Sequence, residues 1–300
     1  VAVITVGAVL VVDGQLDIGE MIGANILAAR ALTPIVTLCQ QTESWRRADQ
    51  AKQTIDDFER VPFEKMDGSA FERYSGKLDL REITFNYPVR ETPVIEKLSL
   101  SLDSGEVLCV TGANGSGKTT LANLIVGLLE PSEGYVSVDG VNLKQLSLEW
   151  WRKQLIYLPQ EPKFLEGSIR ENFLAFDNEI TDAQIRGLLT DVGLEEEIDK
   201  SIGGLDEVLN TSGSSLSLGV RRRLALARAL INKGRIAILD EPTEGIDAKG
   251  ASHVYDVMSN LSKEGITLII CSHDTDILNG AHHVLDLDEE ERPIMRTVSY

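Results

Sequence analysis

Two widely separated stretches of this 300-residue chain carry residue types that could do chemistry together. Residues 112–120 read Gly-Ala-Asn-Gly-Ser-Gly-Lys-Thr-Thr, and further along the apolar run Ile236 to Leu239 ends in Asp240-Glu241-Pro242-Thr243. Glycines let a backbone curl around phosphates so that successive N–H groups point inward. Lys118 supplies a point charge for the β- and γ-phosphates, and Thr119 supplies a hydroxyl for Mg²⁺. Gly112, Asn114, Gly115, Ser116, Gly117, Lys118, Thr119 and Thr120 are therefore the candidate phosphate-binding residues. Asp240, at a strand end, is placed to hold Mg²⁺ through its waters, and Glu241 to polarise a water for attack on the γ-phosphate. The chemistry expected is binding and cleavage of a nucleoside triphosphate.

The elements needed to position these residues are visible on either side of them. Glu106 to Thr111 is an apolar run of strand length, and Leu121 to Leu129 reads as an apolar helix stopped near Pro131. Such a helix would add its positive N-terminal end to the loop. Lys77 to Tyr87 alternates like a half-buried strand, Ile95 to Leu102 does so again, and Gly134 to Val141 reads as a hairpin. The periodicity from about Leu165 to Ile231 is mostly helical. Ile236 to Leu239 and Ile266 to Cys271 are apolar throughout, as parallel strands buried on both faces are.

The net charge of −18 argues against a nucleic-acid-binding surface, which needs a basic stripe. Three scattered cysteines (Cys39, Cys109, Cys271) fit reduced thiols, with no zinc-type spacing. The first residues, Val1 to Val12, are apolar but short of a bilayer span. They are expected to be the end of a membrane helix, with further chain preceding it. Met21 to Gln40 is apolar and of spanning length. Trp45, Arg46 and Arg47 follow it, as at a cytoplasmic membrane interface. Arg30 lies inside the stretch and should face a polar cavity or bundle interior. An amphipathic helix of a soluble protein, with Arg30 on the wet face, is the alternative. Ala48 to Arg60 reads as a polar helical continuation, and Val61 to Gly76 as a linker.

The order of these motifs resembles the nucleotide-binding domain of an ATP-binding cassette (ABC) transporter. The resemblance covers residues 77–300, and it implies roles for further residues. Tyr87 resembles the aromatic that stacks on adenine. Gln160, in Tyr-Leu-Pro-Gln, matches the Q-loop glutamine that reaches Mg²⁺ and the attacking water. His273 matches the switch histidine at the γ-phosphate. Asp247 matches the D-loop aspartate, although Glu244-Gly245-Ile246 before it departs from the usual Ser-Ala-Leu. Leu216 to Val220 reads Leu-Ser-Leu-Gly-Val where the family has Leu-Ser-Gly-Gly-Gln. Ser217 and Gly219 survive, to grip the γ-phosphate of ATP held by an opposing subunit. Leu218 replaces a small residue, and Val220 removes an amide. The basic run Arg221 to Arg223 is either a solvated helix face or part of the cassette.

The resemblance implies an α/β fold, with a mixed core sheet, an antiparallel β subdomain and a helical subdomain at about 165–231. It also implies preceding transmembrane helices. Residues 1–47 would be the end of the membrane domain, with a partial helix at 1–12 and a spanning helix at 21–45. Residues 48–76 would be a cytoplasmic extension and linker, and 77–300 the cassette. ATP and Mg²⁺ are the implied cofactors, with Thr119, Gln160 and Asp240 near the metal and Glu241, Gln160 and His273 catalytic. The implied partner is a second ABC subunit, either the same chain or a different one with a degenerate site. Met21 to Pro34 is similar to the last membrane helix of type I secretion exporters. That similarity implies a bacterial inner-membrane setting, with the cassette in the cytoplasm and a periplasmic adaptor and an outer-membrane channel as partners. A soluble, non-transport cassette ATPase and a non-hydrolysing nucleotide-binding role are the remaining alternatives.

Overall fold

A computed structural model describes residues 2–60, 68–88, 90, 92–201, 203–211, 213, 215–288 and 295–297. Residues 61–67 of the expected linker lie outside the described residues. The chain divides into two compact units, Val1–Glu64 and Lys65–Tyr300.

The first unit is a helical hairpin. Its short helix α1 (Ala2–Val12) is apolar apart from Thr5, and α2 (Ile18–Glu59) runs unbroken for 42 residues. Asp17 and Glu20 form a reciprocal capping box that fixes the start of α2. Pro34 sits inside α2, where Thr33 and Thr37 return hydroxyl bonds to the carbonyls of Ala29 and Thr33. Ile26, Leu27, Leu32, Ile35 and Leu38 are all more than half exposed. That is a poor surface for water and a suitable one for lipid. Among the described residues α2 is the one helix long and apolar enough to cross a membrane. At ~1.5 Å per residue it is about twice the thickness of a hydrocarbon core, so its polar second half reaches well beyond a span.

The second unit starts with strands β1 (Leu78–Phe85), β2 (Ile95–Leu102) and β3 (Val107–Thr111), then helix α3 (Lys118–Val126). The hairpin β4 (Glu133–Val138) and β5 (Val141–Asn142) follows, then α4 (Leu148–Lys153) and β6 (Leu155–Leu158). The largely helical stretch holds β7 (Gly167–Ser168), α5 (Ile169–Leu174), α6 (Asp182–Asp191), α7 (Glu195–Lys200), β8 (Val208–Leu209) and α8 (Leu218–Ala229). The chain closes through β9 (Ile236–Asp240), α9 (Ala248–Lys263), β10 (Thr267–Cys271), α10 (Thr275–Gly280), β11 (His283–Asp286) and β12 (Met295–Thr297).

An antiparallel sheet runs β2-β1-β4-β5, and a six-stranded sheet runs β12-β11-β3-β10-β9-β6. In the larger sheet every pair is parallel except the edge pair β11–β12. Side chains alternate between its faces. Val107 and Cys109 of β3, Leu268 and Ile270 of β10, and Ala237 and Leu239 of β9 enter the core shared with the helical stretch. Leu108 and Val110, Ile269 and Cys271, and Ile236 and Ile238 enter the core shared with α3, α4 and the antiparallel sheet. The central strands are apolar along their middles because both faces are covered, with polar residues only at their ends (Thr111, Asp240, Thr267). Burial pushes the Cys109 thiol up to about 12, which leaves it an inert core group.

Helix α3 ends at Val126, earlier than the apolar pattern suggests. Gly127 turns to φ 78° and its N–H closes on Asn123 and Leu124, so Leu128 and Leu129 leave the helix. Trp151 is fully buried, and its indole N–H donates to Ile125 O at 3.0 Å, tying α4 to α3. Trp151→Ala is expected to cost about 3–5 kcal/mol of stability through the cavity and the stranded carbonyl, read as a lower denaturant midpoint. A loss below about 1 kcal/mol would mean that α4 does not brace α3.

Candidate functional site

The strand order dictates where the site lies. Strand β10 pairs with β3 on one side and β9 on the other, all parallel. The loop after β3, the acid pair at the end of β9 and His273 after β10 therefore meet at one edge of the sheet. Open α/β sheets bind ligands at this carboxyl edge.

The loop has the backbone its glycines permit. Gly112 sits at φ 138°, and a Cβ there would lie 2.7 Å from Ser116 Oγ. Gly117 precedes α3 at φ 109° and provides no side-chain cap. The first N–H groups of α3 thus have no side-chain acceptor and can serve an anion.

Lys118 is 8% exposed, and its Nζ gathers the site. It donates to Gly112 O at 2.6 Å and Ala113 O at 3.3 Å, lies 3.0 Å from His273 Nε2, and stands 3.8 Å from Glu241 Oε1. An ammonium can only donate, so the His273 nitrogen facing it accepts and the ring carries its proton on Nδ1. Glu241 Oε1 is also 3.7 Å from His273 Nε2. Burial raises the Glu241 carboxyl above the usual range, with the Lys118 charge opposing the rise.

Thr119 Oγ1 donates to Asp240 Oδ2 at 2.7 Å and lies 3.3 Å from Gln160 Oε1. Asp240 is 1% exposed, and burial raises its carboxyl despite Thr119 and Lys118. Its second oxygen, Oδ1, is buried without a partner. An orphaned carboxylate oxygen beside a hydroxyl and an amide oxygen is an all-oxygen donor set, which suits a hard divalent cation such as Mg²⁺. Thr119, Gln160 and Asp240 therefore fit the metal expected of them.

A cleft of about 340 Å³ opens over this group, lined among others by Tyr87, Arg90, Val94, Asn114, Gly115 and Gln160. Tyr87 stands edge-on to Phe85 at 4.9 Å, and its hydroxyl is 3.2 Å from Thr120 Oγ1. A larger cleft of about 580 Å³ lies near the opposite, amino ends of the strands, beside Ile156, Arg235 and Ile266, and holds none of these groups.

Three expected residues stand elsewhere. Ser217 caps α8, its Oγ accepting the Val220 N–H at 3.3 Å. Gly219 packs its backbone toward Gly245. Asp247 caps α9 by accepting the Gly250 N–H at 2.9 Å. None of the three lines the cleft. Leu218 leans over Gly245, where a Cβ would come within 2.5 Å of Leu218 Cδ2, and Gly245 has φ 70°. The two departures from the family pattern thus touch each other.

Other residues at the site escaped the sequence reading. Arg222 and Arg223 are not on a solvated face; they are 4% and 7% exposed. Arg223 reaches Gly193 O at 2.9 Å and Glu197 Oε2 at 3.0 Å. Asp274, next to His273, accepts hydroxyl bonds from Tyr255 at 2.5 Å and Thr243 at 3.0 Å. Burial alone would raise its carboxyl, but these bonds and backbone N–H groups bring it below the usual range. The only signal for Arg222 and Arg223 was their place next to Ser217 and Gly219.

The family profile described as ABC transporter matches residues 95–244, from β2 through the acid pair. The chain belongs to the ABC transporter family. Among its curated relatives is the toxin RTX-I translocation ATP-binding protein of Actinobacillus pleuropneumoniae, 30% identical over 284 residues. That match covers 94% of this chain and 40% of the relative. The leukotoxin export ATP-binding protein LtxB of Aggregatibacter actinomycetemcomitans is 30% identical over 288 residues, covering 95% of this chain and 40% of LtxB. The chain thus spans about two fifths of the length of the curated relatives it matches. A solved bacterial Atm1-family ABC exporter with ATP bound shares the fold, with a TM-score of 0.75 at 20% identity over 94% of this chain and 50% of that one. In this ABC chain the phosphate loop, Gln160 and Asp240 line one cleft, and Glu241 and His273 stand beside Lys118.

Proposed function

We propose that this chain binds Mg²⁺-ATP in the Lys118 cleft and hydrolyses it to drive export across a membrane. One observation supports this above the others: Lys118, Thr119, Gln160, Asp240, Glu241 and His273, drawn from separate strand ends, converge within hydrogen-bonding or ion-pair reach. Lys118 exchanges its carbonyl partners for phosphate oxygens. Tyr87 offers its ring to adenine. Glu241, ionised and beside His273, orients the attacking water. Bound next to Thr119 and Asp240, Mg²⁺ supplies positive charge that offsets the β- and γ-phosphates. The chain's part in hydrolysis is positioning and charge stabilisation.

The assembly is read as a head-to-tail dimer. The cleft of one chain needs donors on the far side of the γ-phosphate, and Ser217, Gly219 and Asp247 lie off their own cleft. That supports reading them as the residues that complete the cleft of a second chain. Because the chain carries both an acid pair and a capped Ser217, two identical chains can build two equal sites. ATP then favours the closed pair and hydrolysis reopens it, moving the attached membrane helices. The names of two relatives, a toxin translocation and a leukotoxin export ATP-binding protein, support a protein as the cargo. We read the setting as type I secretion from a bacterial inner membrane, with the cassette in the cytoplasm and a periplasmic adaptor and an outer-membrane channel as partners. The test is ATP turnover by the whole protein in lipid nanodiscs. Turnover is expected to be abolished by chelating Mg²⁺ and to rise cooperatively with ATP. Absence of turnover would overturn the enzymatic reading, and a Hill coefficient of one would overturn the paired site.

A further inference from the structure

Arg222 is a buried cation that the chemistry described above does not use. Its Nη1 donates to Glu241 O at 3.2 Å and also to Glu244 O. Its Nη2 donates to Gln160 O at 3.3 Å and to Glu244 Oε2 at 2.6 Å. One guanidinium thus holds the backbone of the residue that should orient the water, of the residue that should reach the metal, and of the loop leading to Asp247. Lysine could not do this, because a point charge lacks the planar fork.

The backbone it holds is a strained one. Glu241 has φ 48°, a left-handed conformation that costs a side-chain-bearing residue energy unless its surroundings enforce it. Three bonds enforce it here: the Glu241 N–H donates to Cys271 O at 2.8 Å, and the Glu241 carbonyl accepts from Arg222 at 3.2 Å and from the Glu244 N–H of its own turn at 3.3 Å. The first anchors Glu241 to the sheet, and the second anchors it to α8. That helix begins at Ser217 and meets the same 244–245 loop a second time through Leu218 and Gly245.

We infer that Arg222 is a positioning residue for Glu241 and Gln160, through which α8 of each chain sets the hydrolytic geometry of that same chain. The inference rests on the ATPase reading of the cleft. It adds that the helix presenting Ser217 to a partner's nucleotide is mechanically tied to its own chain's acid. A shift of α8 on one nucleotide is thereby felt at the other.

The test compares Arg222→Gln and Arg222→Lys with wild type in the whole protein in nanodiscs. Turnover is normalised to sites that bind a non-hydrolysable ATP analogue. In Arg222→Gln, kcat per site is expected to fall about tenfold or more while KM and analogue affinity stay within about threefold, and the Hill coefficient falls toward one. Arg222→Lys keeps a charge for Glu244 but is expected to recover only a minor part of kcat. Independently of turnover, amide exchange across residues 241–246 is expected to quicken in Arg222→Gln. Wild-type kcat per site in both variants would overturn the proposal. So would loss of analogue binding together with turnover, which would make Arg222 a general structural residue. Absence of turnover in wild type would instead overturn the ATPase reading, leaving the exchange measurement to decide whether Arg222 holds the loop.

Discussion

Glu241→Gln is expected to stop steady-state ATP hydrolysis, lowering kcat by about 10²–10⁴-fold, while ATP stays bound. Glutamine keeps the volume and the φ 48° backbone with its bonds to Cys271 and Arg222, and loses only the capacity to take a proton. Nucleotide affinity should rise, because a negative group near the phosphates is removed. The substitution should also leave the protein at least as stable as wild type at pH 7. The folded Glu241 carboxyl is raised by burial. A raised carboxyl contributes stability that is fully present below the unfolded carboxylate range and is lost as pH rises through the folded value. At neutral pH wild type carries that loss and glutamine does not. The same shift places the acid limb of the kcat–pH profile above an ordinary glutamate. Phosphate release, nucleotide binding and thermal unfolding measure the three effects. Unchanged turnover would remove Glu241 from the catalytic role.

Lys118→Met is expected to weaken ATP binding by about a hundredfold or more, corresponding to about 3 kcal/mol from lost charge-assisted bonds to phosphate. Methionine approximates the stem and fits the buried channel, so the fold should persist. The substitution would strip Gly112 O and Ala113 O of their donor, and leave Glu241 without the cation at 3.8 Å. The Glu241 carboxyl should then rise further, since Lys118 is the leading influence that lowers it. Titration with a fluorescent ATP analogue reads the affinity. A change below about threefold would show that Lys118 serves the loop's own carbonyls rather than phosphate.

Much of this site could be read along the chain because its parts obey local rules. The phosphate loop depends on glycine conformations that other residues resist. The acid pair follows an apolar run whose strand character is forced by burial on both faces. What could not be read is what those ends touch. The basic run at 221–223 looks the same whether it faces water or carbonyls, and only packing shows that Arg222 lies under Gln160, Glu241 and Glu244. Asp247 looks like a site carboxylate, and the chain alone does not reveal that one of its oxygens also caps its own helix at Gly250. Leu218 and Gly245 each look like a lone irregularity. Their contact makes sense of both, since glycine at 245 is needed for φ 70° and for room beneath Leu218.

The placement of β10 between β3 and β9 also bears on how the protein is made. The loop at 112–120 is synthesised long before the strand that must lie beside it. β9 can pair with the earlier β6, but its place relative to β3 is fixed only when Thr267–Cys271 lies between them. A chain emerging from the ribosome therefore has no complete nucleotide cleft until Cys271 and His273 have cleared the exit tunnel. Nucleotide binding on the nascent chain would act as a late signal that the most distant pairings are in place.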